Sequence, residues 1–209
     1  MNSPFVIFGA GGLGRELLGW IANCSTEMRL RFHVAAFVSE GVDVGSKCHG
    51  IPVMSIEDWR ERKPRYVVAI AEPTVKKRIV TMLDAYEWRA ETFIHDNVAV
   101  GVNSKIGQGS IVCPFCCIST DSTIGSHVLV NSGSGIGHDA LVSDYSSLLG
   151  NVSVNGGAQI GVGVQLGARS MIYPGKKVGD WAKVGLGSVV LRNVKDKTTV
   201  FGNPAHCIG

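Results

Sequence analysis

From Ile94 onward an aliphatic residue recurs at every sixth position: Ile94, Val100, Ile106, Val112, Ile118, Ile124, Val130, Ile136, Val142, Leu148, Val154, Ile160, Leu166, Ile172, Val178, Val184 and Val190. With Val, Ile and Leu filling roughly 30% of positions, chance yields such a run about once in a billion trials. The position four residues further on is small, as at Ser104, Ser110, Ser122, Ser134, Ala140, Ser146, Ala158, Ser170, Ala182 and Ser188, with Lys176 the clear misfit. Directly after the aliphatic residue stands Gly at 101, 107, 125, 137, 161, 167, 179 and 185, which predicts a turn taken there with positive φ. A six-residue unit with one large inward side chain cannot bury its apolar face alone, so the units must stack into a solenoid. Three units make an 18-residue coil, and the run amounts to between five and six coils, about 27 Å in height.

Residues 1–90 follow another rhythm. "PFVIFGAGGLGRELLGWIANC" predicts a buried strand, a glycine turn and a helix with Leu17, Leu18 and Ile21 inward. "HVAAFVSE" predicts a second strand, "IPVMSIEDWRE" a short strand and helix, "RYVVAIA" a third parallel strand, and "PTVKKRIVTMLDAY" a helix with Pro73 near its start. Alternation of strand and helix implies a small α/β domain over 1–90, followed by the solenoid over 91–209. Gly9, Gly11, Gly12 and Gly14 let backbone N–H groups approach a phosphate at a helix N-terminus, and Glu40, ending the second strand, is placed to accept from a ribose or base. Ninety residues hold about one half of a dinucleotide fold, which points to a ligand with one nucleotide half rather than NAD.

Composition narrows the classes further. A net charge of +3 with scattered basic residues offers no stripe for a nucleic-acid backbone. Neither an export signal nor a run of about 18 apolar residues is present, so the expectation is a cytoplasmic chain without membrane insertion. Six cysteines are then read as thiols. "CPFCC", Cys113 to Cys117, lacks a second Cys/His pair at finger spacing, and no metal is expected.

The chemistry-bearing exception in the solenoid is "GIGHDALVSDYSS". Ile136 points inward and Gly137 turns, so His138 and Asp139 fall on an outward corner. Gly156 lies one coil later and leaves space beside the imidazole. Paired with Asp139, His138 is a candidate general base for an amine or hydroxyl attacking a thioester. The Gly156 N–H is a candidate donor to the developing oxyanion. A smooth prism has no deep pocket of its own, which suggests an active site between subunits.

The repeat from 94 to about 192 resembles the hexapeptide-repeat acyltransferases, and the resemblance implies a left-handed parallel β-helix. Taken with the glycine turn, "TFIHDNVAV", "VNSGSGIGHD" and the terminal "FGNPAHCIG", the whole chain resembles the sialic acid O-acetyltransferase type family. That family includes bacterial N-acetyltransferases of nucleotide-linked 4-amino-4,6-dideoxy sugars. What the resemblance implies is a Rossmann-like N-terminal domain binding the sugar nucleotide, acetyl-CoA along the coils, and a homotrimer with clefts between prisms. It also implies Asn131 and His138 as active-site residues. Asp139 stands where the family often has Glu, Ser147 where some members carry a second histidine, and Ser39 with Glu40 where paired acids are common. Ser147, Gly156, Ala168, Gly185 and Lys177 are the expected acetyl-CoA contacts.

Three rival readings differ in class. Sugar O-acetylation needs the same base and thioester. A γ-carbonic-anhydrase-like hydratase needs three convergent histidines, and the repeat offers only His95, His127 and His138, at spacings unlike that family's. A non-catalytic solenoid predicts a regular outward ladder, whereas the outward positions here are irregular.

Overall fold

Four consecutive apolar residues, Phe5–Phe8, form β1, and all four are buried, as a strand covered on both faces requires. The computed structural model describes residues 3–41 and 43–208. The chain divides into two compact units, Met1–Ala71 with Val75–Glu91, and Glu72–Thr74 with Thr92–Gly209.

In the first unit β1 leads into α1 (Gly12–Ala22), which buries Gly14, Leu17 and Ile21 and leaves Leu18 half-buried. A short helix missed in the sequence, α2 (Thr26–Arg31), is capped by Ser25. Then come β2 (Val34–Val38), the hairpin strands β3 (Lys47–Cys48) and β4 (Ile51–Met54), β5 (Arg65–Val68), α3 (Pro73–Ala85) and β6 (Arg89–Ala90). The sheet order is β3-β4-β2-β1-β5-β6, parallel except for the β3–β4 hairpin. The helix expected in "IEDWRE" is only a 3-10 turn, Arg60–Arg62. Asp58 is tied back to Ser55 N at 2.9 Å, and Lys63, preceding Pro64, leaves the helical region with φ 41°. Proline disfavours αR in the residue before it, so too few residues remain for a helix.

The second unit is a parallel β-solenoid of three sheets with eight, six and five strands. Registers such as Val112↔Val130, Ile118↔Ile136 and Ile124↔Val142 step by eighteen residues, as the repeat predicts. The aliphatic positions merge into one core from Val112 to Val200. At its upstream end Val100 is exposed and Ile94 and Ile106 are half-buried, since the first coil has no coil stacked before it. The last coil is shorter: Val178 bridges Val194, and Lys183 pairs Thr199, each sixteen residues on. An antiparallel hairpin of Thr199–Phe201 and His206–Cys207, absent from the sequence reading, follows.

The corners correct one expectation. Positive φ occurs not at the glycine after the aliphatic residue but two residues later, at Asn103, Asp121, Asp139, Gly157 and Gly175 along one corner. The earlier glycine is required for coil stacking: a Cβ on Gly101 would lie 2.5 Å from Thr120 N, and one on Gly137 would lie 2.5 Å from Gly156 N. The small inward position also does more than save space. Ser134 Oγ accepts from Val152 N at 3.1 Å and donates to the Leu149 carbonyl at 3.0 Å; Ser110 and Ser146 repeat the arrangement. These buried hydroxyls thus bind coil to coil without an unsatisfied group.

Candidate active site

His138 follows Gly137 on the corner between the Gly135–Ile136 and Leu141–Val142 rungs. Its Nδ1 lies 2.8 Å from Asp139 Oδ2, and both side chains are about two-thirds exposed, at 66% and 67%. Neighbouring side chains in a strand diverge; these two converge because Asp139 takes the left-handed conformation, φ 57°, which Asp tolerates. With Nδ1 on the carboxylate, Nε2 faces away along the axis. A Cβ on Gly156 would lie 2.5 Å from that nitrogen, so only glycine leaves the ring its place. Among the described residues the Gly156 N–H has no hydrogen-bond acceptor.

A shallow cavity of about 230 Å³ lies beside this corner, lined by Cys117, Ser119, Gly135, Gly137, Ser153 and Asn155. The sequence reading missed Ser119, Ser153 and Asn155. The signal was the column of small outward residues Ala99, Cys117, Gly135 and Ser153, whose strands pair in register.

The remaining expected contacts are dispersed within one chain. Asn131, with Oδ1 turned to Ser132 N at 2.7 Å, sits at the other end of the Gly135–Ile136 rung. Ala168 and Gly185 share the corner of Asn131, and Phe201 covers Gly185, 2.2 Å from where its Cβ would be. Ser147 is fully buried on another sheet, between Leu129 and Gln165, and does not reach His138. Lys177 is exposed on the sheet that follows His138's corner. The three repeat histidines occupy three different corners: His95 accepts from Asn97 N at 3.1 Å, and His127 stacks on Tyr145 at 5.7 Å. Among the described residues no group of three or more metal-ligating side chains comes together, and no helix is long and apolar enough to cross a membrane.

In the first unit Gly9, at φ 106°, donates from its N–H to Val38 O at 2.8 Å, and Gly11 precedes α1 as its N-cap. Gly11 and Gly12 are exposed with open space around them, and their backbone forms a bare helix N-terminus suited to an anion. Glu40 is engaged rather than open. Both its oxygens accept from Arg78, at 3.1 and 2.6 Å, and the guanidinium holds the carboxyl below its ordinary range.

"CPFCC" separates into two environments. Cys116 is buried with Sγ 3.3 Å from the Asn131 carbonyl, and burial pushes its thiol up to about 11. Cys117, one residue on, is exposed in the cavity beside His138. At pH 8 a small maleimide is expected to modify Cys117 and Cys207 while sparing Cys113 and Cys116 until unfolding, because reaction requires an accessible thiolate. Peptide mass spectrometry checks this, and early modification of Cys116 would contradict the burial described.

No family model matches the sequence. A GDP-perosamine N-acetyltransferase from Escherichia coli O157:H7 is 31% identical over 136 residues, covering 64% of this chain and 61% of that protein's length. Among solved structures, a histidine-to-asparagine variant of perosamine N-acetyltransferase from Caulobacter crescentus, in complex with CoA and GDP-perosamine, superposes with a TM-score of 0.90. It is 25% identical, with 99% of this chain and 97% of that one covered. In fold and sequence this chain is similar to the hexapeptide-repeat N-acetyltransferases of nucleotide-linked amino sugars. WeeI from Acinetobacter baumannii AYE gives a TM-score of 0.89 at 27% identity, covering 98% of this chain and 99% of that chain. The likeness to these two structures therefore takes in both units, the α/β sheet as well as the solenoid.

Proposed function

We propose that this chain is an acetyl-CoA-dependent N-acetyltransferase acting on a nucleotide-linked amino sugar of the 4-amino-4,6-dideoxy type. The observation that carries the reading is the His138–Asp139 pair held at 2.8 Å with Nε2 facing side-chain-free Gly156. Nε2 takes a proton from the sugar amine as its nitrogen attacks the thioester carbonyl. The Gly156 N–H donates to the oxygen as it becomes negative. The C–S bond then breaks, CoA leaves as thiolate and is protonated, and the amide remains on the sugar.

The fold elements are assigned accordingly. The solenoid is left-handed, and the first unit is Rossmann-like. Its parallel strands, numbered along the chain, run 3-2-1-4-5, with the reversal between β1 and β5 beside the glycine turn. The phosphates lie at Gly9, Gly11, Gly12 and Gly14. The enzyme works in the cytoplasm as a homotrimer. Support for the oligomer comes from the corners: His138, Asp139 and Gly156 occupy one, while Asn131, Ala168 and Gly185 occupy another at the far end of a rung. A site using both sets needs a second copy.

The test is thiol release from acetyl-CoA against a panel of nucleotide-linked 4-amino sugars alongside free and CMP-linked sialic acids. Turnover with the amino sugars alone is expected; turnover with sialic acids alone would replace N- by O-acetylation. Lys177 and Lys183, both exposed on the late coils, are assigned to the CoA phosphates. Neutralising both is expected to raise the KM for acetyl-CoA and leave that for its dephospho form little changed, because a charge contact acts through the phosphate it meets. Equal effects on both donors would remove them from the site.

A further inference from the structure

A second cavity, of about 290 Å³, opens in the α/β unit and is lined by Ser39, Glu40, Val44, Ser55, Ile56, Glu57, Met82 and Tyr86. Its place in the sheet is informative. Ser39 and Glu40 directly follow β2, and Ser55, Ile56 and Glu57 directly follow β4, the next strand outward from the glycine turn. The three strand ends are laced together: Gly9 N donates to Val38 O at 2.8 Å and Ser39 N to Met54 O at 3.0 Å. In an open parallel sheet a nucleotide crosses the carboxyl ends of the strands from the phosphate turn outward, so its base comes to rest over β2 and β4.

Most polar side chains of the cavity are already committed. Ser39 Oγ donates to Asp43 at 2.7 Å, Ser55 Oγ to Asp58 at 2.8 Å, and Glu40 takes both guanidinium nitrogens of Arg78. Among the described residues the Glu57 side chain has no hydrogen-bond or ion-pair partner. The rest of the lining is Val44, Ile56, Met82 and Tyr86, whose ring carries the Arg60 guanidinium 4.6 Å from its centroid; these apolar and aromatic surfaces suit a flat heterocycle. A lone carboxylate offers two adjacent acceptors and no donor. Only guanine presents two adjacent donors, N1–H and the 2-amino group. Uracil and thymine flank one N–H with carbonyls, and cytosine and adenine place an acceptor beside their amine.

We propose that this cavity seats the nucleotide base, that the base is guanine, and that Glu57 reads it through N1–H and the 2-amino group. The inference rests on the sugar-nucleotide reading above and names its substrate class. The perosamine N-acetyltransferase structure that superposes on both units holds a GDP-linked sugar.

The experiment is calorimetric titration of the full chain and of Glu57→Gln with GDP, IDP, UDP, dTDP and CDP. GDP is expected to bind tightest. IDP, which lacks the 2-amino group, should bind about tenfold more weakly, the scale of one bidentate base contact. Glu57→Gln should bring GDP and IDP to within about twofold of each other, since that contact is what separates them. UDP or dTDP binding as tightly as GDP, an unchanged GDP/IDP ratio in the variant, or no nucleotide binding at all would each overturn the proposal. Rapid acetylation of a UDP- or dTDP-linked amino sugar would reject guanine and keep the transferase. Guanine-selective binding without acetyl transfer to any amino sugar would reject the transferase and keep the base site.

Discussion

Substitution of His138 by alanine is expected to lower kcat for acetyl transfer by about 100- to 10,000-fold, the contribution of a positioned general base. The side chain is 66% exposed and its only hydrogen-bond partner among the described residues is Asp139, so folding should be untouched and the melting temperature unchanged. Asp139→Asn should cost less. Asparagine tolerates the φ of 57° and keeps an oxygen toward Nδ1 that can orient the ring, but it gives up the negative charge beside it. The two variants also separate rate from binding: a base active only in the transition state lowers kcat and kcat/KM together, whereas a substrate contact raises KM. Steady-state kinetics on a sugar that the wild type turns over decides between them. A His138→Ala enzyme with wild-type kcat would leave the corner without a catalytic role.

Much of the solenoid was legible because its signal is a one-dimensional count. Each inward aliphatic residue makes the same contact eighteen residues apart, so periodicity alone predicts the register between Val112 and Val130 or between Ile118 and Ile136. What periodicity cannot separate is two reasons for a glycine. Gly137 and Gly157 both stand at a corner, yet only Gly157, at φ 65°, takes the left-handed conformation; Gly137 is small because the next coil's backbone passes over it. The count also fails where the register slips, and the sixteen-residue last coil with its hairpin therefore went unread.

The candidate site was legible to the extent that it follows the repeat. His138, Asp139 and Gly156 come together because a column argument needs only the step of eighteen. Ser147 shows the limit of transfer by resemblance: its backbone position follows the repeat, but its side chain is fully buried on a different sheet from His138. Glu40 shows the limit of local reading, since its engagement by Arg78 spans 38 residues and no local pattern encodes it. Glu57 and the cavity it lines were invisible for the same reason: the loops after β2 and β4 and the helix α3 meet there only in the folded sheet.

Within α1 a glycine-to-alanine substitution is expected to act with opposite signs at Gly14 and Gly19, and the close approach of β1's turn to Gly14 is the cause. An alanine Cβ at Gly14 would sit 2.0 Å from Gly9 O and 3.3 Å from Phe37 Cε1, against backbone that holds the Gly9–Val38 hydrogen bond. Relief requires α1 to lift from the sheet, an overpacking cost of about 3 kcal/mol. The gain in helix propensity from glycine to alanine, about 1 kcal/mol, does not offset it. At Gly19, in the exposed middle of the same helix, an added Cβ meets nothing within 4 Å, and the substitution should stabilise by about 0.5–1 kcal/mol. Urea denaturation of the two variants followed by far-ultraviolet circular dichroism measures both. Because Gly14 packs directly against the Gly9 carbonyl of the turn that leaves Gly11 and Gly12 bare for an anion, Gly14→Ala should weaken nucleotide binding as it destabilises, while Gly19→Ala should leave binding unchanged. Equal stability in the two variants would mean that α1 does not rest on the glycine turn, and the assignment of that turn to the phosphates would lose its structural basis.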